Sequence, residues 1–179
     1  MGLVLVILLM HCLLLYYLVC SYQPVLLHFQ QGSKLAGTAS SYFGYFVSIS
    51  ADGNTLAAGA PGATGSSGGC YVFTRTASVW TQQGSKLVGT GGVTTSNYQG
   101  CSVALTADGN VLAVGGYGDN SFKGAVWIFT RTASVWTQQS SKLAVVGSSS
   151  NLGSSLSFSG NGNTLAAGAP GRNATWIFT

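Results

Sequence analysis

Acidic side chains are scarce in this sequence: Asp52, Asp108 and Asp119 are the only ones in 179 residues, and there is no Glu. Asp52 and Asp108 sit in matching Asp-Gly-Asn triplets. Glycoside hydrolysis needs two carboxylates flanking one bond, and these do not offer a pair. A serine nucleophile needs an oriented base. The two histidines are His11, inside an apolar stretch, and His28, so no base lies within the remaining chain. Glycines 59, 62, 65 and 68 have the look of a phosphate cradle, but no helix-forming run or Lys-Ser/Thr pair follows them. Cysteines 12, 20, 70 and 101 form no cysteine–histidine cluster of zinc-site spacing. The inventory predicts no catalytic residue, no metal and no cofactor; the protein reads as a binder, not an enzyme.

Charge narrows the partners. Charged residues are 6% of the chain, and the net charge of +4 comes from seven Lys and Arg spread singly along it. Nucleic-acid surfaces concentrate such residues in patches, so nucleic acid is excluded as a partner. Polarity is carried by Ser, Thr, Asn and Gln, with 26 Gly and short runs of Val, Thr and aromatic residues. That composition favours strands and tight turns over long helices, and the length suits one domain.

The elements that would position any site repeat. Gln30-Gln31-Gly32-Ser33-Lys34-Leu35 returns at 82–87 and, with one Gly replaced, at 138–143; Ala51 to Ala57 returns at 107–113 and 160–166; Phe73 to Gln83 returns unchanged at 129–139. The repeats span about 30–83, 84–139 and 140–179. Within one period Phe46 to Ser50 alternates as a strand does, and Asp52-Gly53 supplies a hairpin turn. Thr55 to Ala60, Cys70 to Arg75 and Val79 to Gln83 complete four short strands. If the last hairpin turns on Ala77 and Ser78, Arg75 faces Trp80 and Arg131 faces Trp136, a structural cation–π pair. A four-stranded antiparallel meander repeating at roughly 50 residues is the signature of propeller blades. The expected fold is therefore all-β: a partial β-propeller of about three four-stranded blades over residues 28–179, behind an apolar N-terminal helix.

Phe43-Gly44 followed by Gly59-Ala60-Pro61 resembles the FG-GAP repeats of the integrin α-chain β-propeller. The third copy keeps Gly153 and Gly168-Ala169-Pro170, while the second is reduced to Gly100 and Gly115-Gly116. Strand three fits as well, in Gly69 to Phe73, Ala125 to Phe129 and Ala174 to Phe178. The resemblance implies an adhesion or recognition module that binds a protein or a glycan through loops at one propeller face. Blades of that family often hold calcium between strands one and two. Here Ser48 and Ser50 stand where carboxylates would, the closing acid is missing, and calcium needs six to eight oxygens, so these loops read as plain hairpins.

Residues 1–21 are a signal peptide or an uncleaved membrane anchor: Gly2 to Cys20 carries His11 as its one strongly polar side chain, and nineteen helical residues reach about the ~30 Å of a bilayer core. The expected placement of the rest is secreted or on the extracellular face of a membrane, which it touches only through this segment. Asn173-Ala174-Thr175 is an N-glycosylation sequon consistent with that placement. Lys34, Lys86 and Lys142 hold equivalent positions and form either a row for an anionic ligand or a guard against edge pairing. Cys70 and Cys101 read as buried small residues. Gly59 and Gly168 are expected at corners where a Cβ would crowd a neighbour. Two rivals stand beside the recognition reading: a fragment of a propeller-type enzyme, and a structural fragment of a repeat array that binds nothing. Three blades are too few to close a ring, so an open arc prone to self-association is expected, with residues 28–35 able to complete the last sheet against 174–179.

Overall fold

The structure is a computed structural model that describes residues 29–37, 42–63, 67–93, 96–147 and 150–179. The chain divides into two compact units, 1–31 and 32–179. The N-terminal helix and the signal-or-anchor assignment of residues 1–21 lie outside the described residues.

The second unit is all-β, with three antiparallel sheets. The first has four strands in sequence order: β1 (Val47–Ile49), β2 (Thr55–Gly59), β3 (Cys70–Thr76) and β4 (Val79–Gln82). The second repeats it with β5 (Ser102–Leu105), β6 (Val111–Gly116), β7 (Ala125–Thr132) and β8 (Val135–Gln138). The third has three strands among the described residues, β9 (Ser155–Phe158), β10 (Leu165–Ala169) and β11 (Ala174–Phe178), with β11 at its edge. A tight turn, Asp119–Phe122, in which Asn120, Ser121 and Phe122 all have positive φ, interrupts the loop after β6.

Each turn is built from its own polar residues. Asp52 Oδ1 accepts from the Ser50 hydroxyl and the Asn54 amide, and Oδ2 from the Asn54 side chain. The Ser50 hydroxyl oxygen in turn accepts from Thr55 N–H at 2.9 Å. Thr106, Asp108 and Asn110 repeat the arrangement, and Ser159 with Asn161 reproduces its core without a charge. Gly53, Gly109 and Gly162 follow at φ of 68°, 68° and 75°, the left-handed region that glycine enters without penalty. These donors hold the Asp52 carboxyl down at about 2, the Ser50 hydroxyl contributing most, and they lower Asp108 in the same way. The hairpins after β3 and β7 turn on Ala77-Ser78 and Ala133-Ser134, all four with positive φ. They set Arg75 over Trp80 at 5.5 Å and Arg131 over Trp136 at 5.3 Å.

Every sheet has one face of large side chains and one of small. The small face of the first sheet (Ala57, Cys70, Val72) packs on the large face of the second (Val103, Leu105, Leu112, Val114, Trp127, Phe129). The small face of the second (Ala104, Ala113, Val126) packs on the third (Leu152, Leu165, with Leu156, Phe158 and Phe178). Cys70 and Cys101 are buried free thiols, pushed up to about 12 and about 11, chiefly by desolvation. A further cluster lies on the large face of the first sheet, where Ala60, Ala63, Tyr71 and Phe73 meet Leu35 and Phe43. Leu35 thus sits on the first sheet, and residues 29–37 form no strand, so the expected pairing of residues 28–35 with 174–179 is not made by the described residues.

The corner glycines lock sheet to sheet. A Cβ on Gly59 would lie 2.0 Å from the Gly100 carbonyl oxygen, and one on Gly115 would lie 2.1 Å from that of Gly153. Gly59 and Gly115 thus each meet a Gly just before the first strand of the next sheet. Gly168 differs from this expectation, because what its Cβ would meet is the Ser155 hydroxyl of its own sheet, at 2.2 Å.

Candidate functional site

In a meander, the loop before strand one and the loop after strand two emerge at the same end, and the other two turns emerge at the opposite end. Asp52, Asp108 and the Ala-Ser hairpins therefore share one end of the sheets. The opposite end gathers aromatic residues. Tyr42 and Tyr45 precede β1, Pro61 and Gly62 follow β2, Tyr98 and Cys101 precede β5, and Tyr117 follows β6; together they line a groove of about 160 Å³. Tyr98 and Tyr117 stack at 5.1 Å with their planes 5° apart, and Phe122 continues the stack from Tyr117 at 6.2 Å. Tyr42 and Tyr45 are well exposed. Burial raises the Tyr117 hydroxyl above its ordinary value, with the neighbouring Cys101, Tyr98 and Tyr45 adding to it, so it stays a neutral donor.

The backbone under these tyrosines is strained. Tyr42 and Tyr98 have φ of 49° and 54°, and the equivalent residue of the third repeat, Asn151, has 55°. Asn enters this conformation at a lower cost than Tyr does. Two repeats thus carry the less suitable residue, and both of those residues line the groove. Gly118 makes room for the stack, since a Cβ there would lie 2.5 Å from the Tyr98 ring. Repeat alignment sets Tyr42, Tyr98 and Asn151 in one column, and that was the available signal for this site. Phe43, Gly44, Gly59, Ala60, Pro61 and Gly100 lie in or beside the loops that carry the tyrosines, with Gly59 abutting Gly100. Gly153, Gly168, Ala169 and Pro170 hold the equivalent places in the third repeat, whose turn bears no aromatic at Asn151.

The third carboxylate is committed elsewhere. Asp119 is buried; its Oδ1 accepts from Val93 N–H at 2.8 Å, and its Oδ2 accepts from the Lys142 ammonium. An anionic ligand would have to compete with that carboxylate for Lys142, whereas Lys34 and Lys86 lie on other loops. Asn173 is exposed, closing the turn at Pro170–Arg172. Among the described residues no group of three or more His, Cys, Asp or Glu converges on one point.

No protein-family model matches the sequence, and no curated protein matches it. Similar solved structures include the periplasmic gluconolactonase PpgL of Pseudomonas aeruginosa, 18% identical over 82% of this chain and 42% of that one, with a TM-score of 0.48. Hydrazine synthase of Kuenenia stuttgartiensis is 15% identical over 78% and 32%, with a TM-score of 0.45. TolB of Acinetobacter baumannii is 17% identical over 66% and 24%, with a TM-score of 0.38. The chain spans less than half the length of each.

Proposed function

We propose that the three sheets are blades of a β-propeller arc of the FG-GAP type. In this reading the chain is an extracytoplasmic adhesion or recognition module that binds a protein or a glycan through the loop end bearing Tyr42, Tyr45, Tyr98 and Tyr117. The observation that carries this reading is the pair of tyrosines held in left-handed backbone on the groove. Strain of this kind costs about 1–2 kcal/mol per residue and is removed by the Asn that the third repeat uses. Tyrosine also suits a binding surface, because it offers a large, rigid, amphipathic contact with few rotatable bonds. Binding rather than turnover fits a site whose lining has no carboxylate, histidine or reactive thiol.

The test is a binding screen of the labelled full-length chain on a printed glycan array and on intact cells, beside a Tyr45→Ala/Tyr117→Ala variant. Binding that falls at least tenfold, about 1.4 kcal/mol, in the variant supports the reading. Equal binding by both proteins, or none by either above a scrambled-sequence control, rejects it. Modification of Asn173, read as a mass shift on enzymatic deglycosylation of the protein from a eukaryotic secretory host, tests the extracytoplasmic placement separately.

A further inference from the structure

The tyrosine groove is rich in ring surface and hydroxyl donors and has no carboxylate, amide or imidazole to accept from a ligand. Resting on the reading of that end as a binding surface, we infer that its ligand is a proline-rich segment of a partner protein, held in the polyproline II conformation.

Tyr42, Tyr45, Pro61 and Gly62 line the groove from loops of the first sheet, and Tyr98, Cys101 and Tyr117 from loops of the second. None of these side chains is a Lys, Arg, Asp or His. The Cys101 thiol is turned to the Gly153 carbonyl at 3.4 Å. The carbonyls of Tyr42 and Tyr98 already accept from the N–H groups of Tyr45 and Cys101, each at 3.1 Å. The side chains therefore present aromatic rings tipped with phenolic hydroxyls, each able to donate one hydrogen bond.

Ligand chemistries separate on such a lining. A sugar ring brings several hydroxyls that need acceptors as well as donors, and an ordinary extended peptide brings an N–H at every residue. Each such donor buried without a partner loses about tenfold in affinity. A charged segment would find no counter-charge. Proline has no N–H, its ring is apolar, and its carbonyl accepts from a phenol.

Size and shape agree. The groove holds about 160 Å³, well under the ~300 Å³ at the low end of small-molecule sites. It receives a ring or two of a chain that runs on past it. Phe122, 48% exposed, stacks on Tyr117 at 6.2 Å and carries the aromatic surface onward. A polyproline II helix has three residues per turn at ~3.1 Å each, so rings on one side recur at about 9 Å. One ring over the groove sets the next toward Phe122.

Both partners are ordered before they meet. Gly44 N–H donates to the Gly59 carbonyl at 2.9 Å and Gly118 N–H to that of Asn97 at 3.3 Å, which ties the tyrosine loops to their neighbours. The turn bearing Phe122 has φ of 49°, 56° and 65° at Asn120, Ser121 and Phe122. It is pinned by the Phe122 carbonyl, which accepts from the N–H groups of Ser150 and Asn151 at 3.1 and 2.9 Å. A fixed groove and a preformed polyproline II helix lose little freedom on association, the advantage that aromatic-lined grooves for such segments exploit.

The experiment titrates the full-length chain, solubilised in a mild detergent, into a dye-labelled decaproline peptide and reads fluorescence anisotropy, beside a Gly-Ser peptide of equal length. Saturable binding is expected for decaproline alone, changing less than about twofold between low and high salt because no charge lines the groove. Tyr45→Ala/Tyr117→Ala should weaken it at least tenfold. Tyr45→Phe/Tyr117→Phe, which keeps the rings and removes two donors, should weaken it about threefold. Both variants should keep the parent circular-dichroism spectrum. No decaproline binding, equal binding of the Gly-Ser peptide, or binding untouched by the alanine pair overturns the inference. A phenylalanine pair that binds as tightly as the parent also overturns it, because the donors would then select nothing. If decaproline fails while tyrosine-dependent binding appears on the glycan array, this inference falls and the broader reading stands; failure of both probes removes both.

Discussion

Replacing Gly59 with Ala adds one methyl group at the tightest point between the first two sheets. Its Cβ would lie 2.0 Å from the Gly100 carbonyl oxygen, 2.9 Å from the carbonyl carbon and 3.2 Å from Cα. All three atoms are backbone, so no side chain can rotate away. Gly100 itself is fixed by its N–H bond to the Gly115 carbonyl at 2.9 Å. Relief requires the sheets to part by more than an ångström at this corner, beside a core in which Ala57, Cys70 and Val72 are sealed against Trp127. Overpacking of this kind costs about 1–3 kcal/mol, and we expect the upper part of that range. Gly168→Ala is the matched control. It adds the same methyl at the equivalent position, but what it meets first is the Ser155 Oγ, which a rotamer change removes. The lower chain entropy of Ala in the unfolded state returns about 0.4–1 kcal/mol, so this variant should be neutral or slightly stabilised. Both are compared by urea denaturation. The expected gap is about 2–3 kcal/mol, or a melting difference of several degrees at about 2–4 °C per kcal/mol. Gly59→Ala and Gly168→Ala unfolding together would refute the sheet-to-sheet glycine contact.

Asp119→Ala leaves the Lys142 ammonium largely buried without its carboxylate and frees the Val93 N–H; we expect a loss of about 3 kcal/mol, read by the same denaturation, with Lys142→Met partly restoring stability in the double variant. Ala77→Asn with Ser78→Gly places favoured residues at two positive-φ positions of a two-residue hairpin and should raise stability by about 1–2 kcal/mol, measured as a rise in melting temperature. Asp52 and Asp108 ionise at lower pH in the folded chain than in the unfolded one, where Asp titrates near about 3.9. Their contribution is complete above that value and is lost as pH falls toward about 2, the folded value for Asp52. Asp52→Asn/Asp108→Asn, which copies Asn161, should flatten the acid limb of a stability-against-pH curve.

The strands were legible because one repeat could be checked against two others. Ala51 to Ala57 recurs with Asp or Asn at the same turn position, and all three copies fold into the same hydrogen-bonded loop. The Arg75–Trp80 pair follows from strand alternation once the turn is placed at Ala77 and Ser78. The end faces were harder to read. Val47 and Val103 are the same residue type at the same register, yet one is exposed and the other buried, because burial here depends on which sheet lies above rather than on local pattern. Gly168 looked equivalent to Gly59 for the same reason: the motif repeats, but the neighbour that makes it tight does not. The Asp119–Lys142 pair joins two repeats across 23 residues, and Asp119 has no carboxylate counterpart in the other repeats, so no periodicity announced it. Tyr42 and Tyr98 were hidden by type, since an isolated Tyr in a turn carries no sign of positive φ.

The claim that the tyrosine end of the sheets is a binding surface is tested most directly by Tyr42→Asn. This places in the first repeat the residue that the third repeat uses at Asn151. We expect opposite movements in one variant: equal or higher melting temperature from relief of the left-handed Tyr, and weaker binding to the glycans or cells that the parent chain binds. A variant that melts higher and binds as tightly as its parent would contradict the claim.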